Sequence, residues 1–189
     1  MLKCSPVTII DCQKTELNEI DFSDCEDLTV WHYNPSSHSL VDLLSAKYIL
    51  TLKIYFTNVT TLSGLENFQN LIHFEINHCP KLESIADLPQ TLEFVMIEHA
   101  KRIQNYDVLQ SLSELKTLRV HESAPFANIS FINSLNQLTE FRFVNTAVID
   151  GNMQPLIEHK PKLKAVAFNN KRHYSHTEKQ IRQELCIES

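Results

Sequence analysis

The chain has 189 residues, 43% of them apolar, and a formal net charge of −6. That is enough for one domain with an ordinary core. A negative balance excludes broad affinity for nucleic acid or an anionic membrane, since both reward positive charge. No stretch approaches the ~18 consecutive apolar residues of a membrane span.

The opening MLKCSPVTIID carries too short an apolar run for a secretory leader, and Asp11 interrupts it. A cytoplasmic location is therefore expected, which makes the Asn58-Val-Thr60 and Asn128-Ile-Ser130 sequons coincidental. Residues 1–24 are predicted to cap the N-terminal end, with Val7, Thr8, Ile9 and Ile10 as an added strand. Asp11 to Asp27 holds seven acidic residues against one lysine. Pairing this stretch along that strand would keep its edge from joining another chain.

From residue 25 to residue 171 the sequence repeats. Segments beginning at Ile49, Leu71, Leu92, Leu115, Leu138 and Leu163 are spaced by 22, 21, 23, 23 and 25 residues. Each reads apolar-x-x-apolar-x-apolar: Ile49, Leu52, Ile54; Leu71, Phe74, Ile76; Leu92, Val95, Ile97; and Leu115, Leu118, Val120. Leu138, Phe141, Phe143 and Leu163, Val166, Phe168 follow, and a fainter copy lies at Cys25, Leu28, Val30. The period-two core of each segment predicts a strand with one buried side. Between strands, apolar residues recur every three positions, as in Leu62, Leu65, Phe68 and in Ile129, Ile132, Leu135. That spacing suits a 3₁₀ turn or a single turn of α-helix. Residues 172–189 are predicted as a C-terminal cap. There Thr177-x-x-Gln180 forms a capping box opening a helix that turns Ile181 and Leu185 inward.

This motif at this period resembles the leucine-rich repeat, in the short form found in bacterial proteins and phosphatase regulators. The resemblance implies an α/β solenoid with a parallel β-sheet on the concave face, short 3₁₀ or α segments on the convex face, and a cap at each end. The asparagine that many such repeats place after the strand is mostly missing: its column holds Thr57, Cys79, Ala100, Ser123, Thr146 and Lys171. Ala100 has no side-chain hydrogen bond to offer, so water or backbone must satisfy that turn.

Aligning the repeats sorts side chains onto the concave face. Trp31, Tyr55, Phe56, Phe94 and Met96 fall on it, with Glu75, Glu98, Glu122, Glu140, Arg119, Arg142, His78, His99 and His121. Exposed aromatic clusters mark partner sites, and aromatics and arginine dominate binding hot spots. These fourteen residues are the candidate partner-binding set. Trp31 and Tyr55 have a second possible fate, as core beneath the N-terminal cap.

His78 and His99 share a column beside Glu98, His121 and Glu122, which raises a zinc site needing three or four ligands. A solvated polar row explains the same residues, and no metal or other cofactor is assigned. The five cysteines, Cys4, Cys12, Cys25, Cys79 and Cys186, are odd in number with no Cys-x-x-Cys pair, so neither a disulfide framework nor a zinc site is indicated. Cys25 and Cys79 occupy inward positions. No nucleophile turn or phosphate loop is present, so no catalytic residue is assigned and an enzyme is not expected.

The resemblance implies a binding protein, monomeric in isolation, that takes a protein partner rather than nucleic acid or membrane. Small acidic bacterial proteins of this type resemble immunity proteins, antitoxins that occlude a cognate toxin domain. A scaffold or regulatory subunit is the alternative, and a metal-dependent hydrolase built on the histidine row is a remote one.

Overall fold

The computed structural model describes residues 2–3, 5–46 and 48–187. In chain order the elements are β1 (Leu2–Lys3), β2 (Val7–Asp11), β3 (Ile20–Asp21), β4 (Asp27–Trp31), β5 (Thr51–Tyr55), β6 (His73–Asn77), β7 (Phe94–Glu98), β8 (Thr117–His121), β9 (Glu140–Phe143), α1 (Gln154–Glu158), β10 (Ala165–Phe168) and α2 (Glu178–Leu185). Short 3₁₀ turns lie at Val41–Ala46, Leu65–Asn67, Asp107–Ser111 and Ser130–Ser134. Among the described residues, eight strands form one parallel sheet in the order β10-β9-β8-β7-β6-β5-β4-β2.

The register is the one the repeat alignment predicts. Leu28 faces Leu52, Leu52 faces Phe74, Phe74 faces Val95, and Val95 faces Leu118. Each of these side chains is wholly buried. A one-residue slip in any strand would turn its apolar column to water, so the period-two pattern fixes the pairing. On the opposite side, Leu62, Leu65, Phe68, Ile129, Ile132 and Leu135 are equally buried, through the three-residue spacing of the 3₁₀ turns.

The column expected to hold asparagine is satisfied by its neighbours. Ser123 Oγ accepts the Ala100 N–H at 3.2 Å, and Thr146 Oγ1 accepts the Ser123 N–H at 3.1 Å. Each hydroxyl serves the preceding repeat, so Ala100 needs no polar side chain of its own. Just before this column the chain leaves the sheet through left-handed backbone: φ lies between 47° and 58° at His32, Phe56, His78, His99, Glu122 and Asn145. Asparagine and histidine visit that region more readily than other side chains, whereas a bulky residue such as Phe56 is an outlier there.

The N-terminal cap departs from expectation. β2 pairs with β4 in parallel, Val7 opposite Asp27, so the added strand is real. The acidic stretch does not shield it. β3 pairs instead with β1 in a separate two-stranded sheet, and β2 ends the main sheet. The apolar side chains of that segment explain why: Ile20 and Phe22 are buried in the core, which turns the segment away from the outer edge of β2.

At the other end, the Thr177 hydroxyl accepts the Gln180 N–H, and Gln180 Oε1 accepts the Thr177 N–H at 2.8 Å. Ile181 and Leu185 are buried. The segment before α2 is tied to the last repeats by hydrogen bonds. Ser175 N–H donates to the Gly151 carbonyl at 2.8 Å, and Tyr174 Oη accepts the Val148 N–H at 2.9 Å. Gly151 has φ +67, and an added Cβ would lie 2.3 Å from the His173 carbonyl oxygen. Cys25 and Cys79 are buried, Cys12, Cys79 and Cys186 carry free thiols, and Cys4 lies outside the described residues. Burial raises the Cys79 thiol to about 12. Among the described residues no helix is long and apolar enough to cross a membrane.

Candidate protein-binding face

Strand alternation puts every second side chain of β2 and β4 to β10 on the open face of the sheet. At its N-terminal half the face is aromatic. Trp31 stacks on Tyr55 with centroids 4.5 Å apart and lies 5.8 Å from Phe56. Trp31 and Tyr55 are half-buried and stacked on each other rather than enclosed in the core, and Phe56 is 41% exposed. The Tyr55 hydroxyl donates to Glu75 at 3.1 Å; burial and that carboxylate raise its pKa to about 12.

Glu75 joins this cluster to the next. His73 Nε2 lies 2.6 Å from its Oε1 and Lys53 Nζ lies 3.9 Å away. The His73 hydrogen bond holds the carboxyl below the ordinary range, with Lys53 assisting against burial. His73 also stacks face to face on Phe94, at 4.0 Å and 4°. The Arg119 guanidinium then covers Phe94 at 5.2 Å, within cation–π range, and Arg119 Nε donates to Glu140 at 2.7 Å. Arg142 Nε sits 2.9 Å from the same carboxylate as an ion pair, without hydrogen-bond alignment. Met96 lies opposite Glu75 on one side and Arg119 on the other. A continuous chain of contacts thus runs from Trp31 to Arg142, and these side chains are already ordered before any partner arrives.

A second row follows the left-handed turn positions along one lip of the face. His32, Phe56, His78 and His99 stack in succession at 5.5, 4.4 and 4.3 Å. His32 is pinned by Asp11 at 2.9 Å, a contact that lowers the Asp11 pKa, and His99 is pinned by Glu122 at 3.2 Å. Asn77 ties the row to the sheet: its Oδ1 lies 2.6 Å from His78 Nδ1 and 3.2 Å from His99 Nδ1, and its amide donates to Glu98. His121 is half-buried with Nε2 unpartnered, and burial lowers its pKa.

Stacked imidazoles do not aim their lone pairs at one point. Among the described residues no group of three or more His, Cys, Asp or Glu side chains converges as metal ligands would. His173 is committed to the Val148 carbonyl at 3.0 Å and His176 to Ser175.

The candidate residues other than His121 lie along these two rows. Lys53 and His73 brace the first through Glu75 and Phe94, and His32 and Asn77 brace the second, roles that rest on side-chain contacts and not on any sequence pattern. Val7 and Ile9 are 65% and 72% exposed and extend the face beyond Trp31. Their outward direction is hidden because the inward-facing Ile10 beside them is apolar too.

No protein-family model matches the chain, and no curated protein matches it. Solved structures do. The leucine-rich repeat domain of the type III effector XopL superposes with a TM-score of 0.51 at 18% identity, over 66% of this chain and 47% of that one. An internalin, InlF, from Listeria monocytogenes superposes at 0.50 and 16% identity, over 79% and 51%. The chain thus spans about half the length of each. With the parallel sheet and its register, these likenesses establish the leucine-rich-repeat fold.

Proposed function

We propose that this leucine-rich-repeat chain is a non-catalytic binding module that grips one protein partner with the open face of its sheet. The observation that supports it most is the pre-ordered aromatic and charged chain from Trp31 to Arg142. Stacked, half-exposed aromatics add little to the monomer, yet they give a partner rigid apolar anchors at low entropic cost. The Arg119–Glu140–Arg142 cluster would set the partner's orientation, as charged groups around an anchor do.

The finer reading is an immunity protein acting in the cytosol, which neutralises a toxin domain by occluding it. The small acidic chain and the acidic N-terminal segment favour a basic partner on this reading. The test has two steps. Affinity capture from the source organism, read by mass spectrometry, should return one dominant partner. Co-expression with the toxin-like product of the neighbouring gene should then restore growth. A single partner that is no toxin would leave the binding reading standing and replace immunity by a scaffold or regulatory role. No partner lost on truncating Phe94 and Arg119 would remove the face assignment itself.

A further inference from the structure

The left-handed row forms one wall of a groove of about 590 Å³ outside the sheet proper. His32, Phe56, His78 and His99 supply that wall. Two residues further along each repeat, Asn34, Asn58, Pro80 and Lys101 supply the other, joined by Lys81. The residue between the walls is buried in each repeat: Tyr33, Thr57, Cys79 and Ala100. The groove is therefore built by the repeat itself, running along the solenoid and across the strand direction.

Three features identify what fits it. First is charge. In a chain of net charge −6, no carboxylate among the described residues lines this groove, while two lysines and three imidazoles do. Lys81 and Lys101 are exposed, and no ion pair among the described residues uses either ammonium. Asn58 also lines it, with its Oδ1 shielded from water and unpartnered. Second is length. Four rings at the strand spacing of about 4.8 Å span about 14 Å, which matches about four residues of extended chain at 3.4 Å each. Asp11 beside His32 and Glu122 beside His99 close the two ends with negative charge. Third is backbone cost. Phe56 holds φ 58, where its Cβ is crowded and glycine would be at ease. A phenyl ring kept in that conformation points to use of the ring rather than to folding.

We propose that the groove takes a short extended segment of the protein partner, about four residues long, that carries carboxylates beside a large apolar side chain. The acids meet Lys81 and Lys101, and the apolar residue lies against Phe56 and Pro80. This deepens the binding function proposed above and rests on it. The partner would then present a basic surface to the acidic N-terminal region and an acidic segment to the groove, a two-signed match that raises specificity.

An array of hexapeptides tests it, each with two Asp or Glu among Phe, Leu and Trp, set against a matched array with Asn and Gln in place of the acids. Binding of the intact fluorescent protein should favour the acidic array at least about tenfold, and Lys81→Glu with Lys101→Glu should abolish that preference. Phe56→Gly should weaken binding several-fold while leaving the melting temperature unchanged or higher, which a merely structural phenylalanine would not do. Equal binding to both arrays, binding to neither, or a preference for a single-stranded oligonucleotide overturns the inference. With the captured partner, loss in the Phe94→Ala and Arg119→Ala variants but full retention in the lysine pair would reject the groove and keep the face. Retention in all four would reject the face as well.

Discussion

The two halves of the solenoid differ in what they place on the open face of the same sheet. In the N-terminal half, Trp31 and Tyr55 stack on the open face with Phe56 at its lip, and Phe94 stacks on His73, over an interior that holds Phe22, Phe68 and Phe74 as well. In the C-terminal half, Phe126, Phe141, Phe143 and Phe168 pack inside, while Arg119, Glu140 and Arg142 occupy the face. The ends differ likewise. β2 leaves Val7 and Ile9 exposed at an open edge, whereas α2 closes the other end with Ile181 and Leu185. Inward columns need only apolar bulk, so they stay uniform along the chain. Outward columns are free to differ, and the contrast between halves is where binding chemistry can be written.

The largest expected effect tests the C-terminal interior. Phe141→Ala should cost about 3–5 kcal/mol, because a fully buried ring packed against Phe126 and Phe143 leaves a cavity the neighbours cannot close. Urea denaturation reads it; a loss under about 1 kcal/mol would mean that this half is loosely packed and that the contrast is superficial. Next comes the closure of that end. Gly151→Ala puts a Cβ into left-handed backbone and against the His173 carbonyl, at a cost of at least about 1–2 kcal/mol. Hydrogen exchange should localise the damage to residues 148–185, and uniform protection there would show that the C-terminal segment docks independently of this glycine.

Legibility followed the same division. The inward columns, the strand register and the 3₁₀ turns were readable because burial imposes a period on sequence. The direction of each outward side chain was readable too, once the columns were aligned. What those side chains do to one another was not. That Glu75 is shared by His73, Lys53 and Tyr55 depends on rotamers across three strands. The serine and threonine that serve Ala100 and Ser123 sit a whole repeat away. The path of the acidic segment was misjudged because Ile20 and Phe22, not its charges, decide where it goes.

The face itself sharpens the comparison at an intermediate scale. Phe94→Ala and Arg119→Ala should each weaken partner capture roughly tenfold or more, the loss typical of an anchor position. Arg142→Ala, at the edge of the ion cluster, should do less. Melting temperatures should stay near that of the parent, since all three side chains lie outside the buried columns. If Arg142 proves the most sensitive, the charged half is the anchor and the aromatic half is only its support.

The smallest effect separates the halves by pH. Glu75 and His121 both titrate below their ordinary values in the folded chain, for different reasons. Glu75 is held down by the hydrogen bond from His73, with Lys53 assisting against desolvation. His121 is held down first by burial, with Arg119 and Arg142 adding to it and Glu98 and Glu122 opposing. In each case the unfolded chain binds the proton more readily, so acidification favours unfolding. The His121 contribution is fully present above about pH 6.5, the value for a free imidazole, and is lost as pH falls through the folded value. The Glu75 contribution is complete above about pH 4.3 and is lost below it in the same way. Both groups are partly exposed, so solvent screening keeps each effect small. The melting temperature should therefore decline in two shallow steps. His121→Gln should flatten the step that begins near neutrality, and Glu75→Gln the more acidic one. If His121→Gln leaves the upper step unchanged, other histidines carry it, and the half-buried ring with its unpartnered Nε2 is already compensated by groups of the C-terminal half.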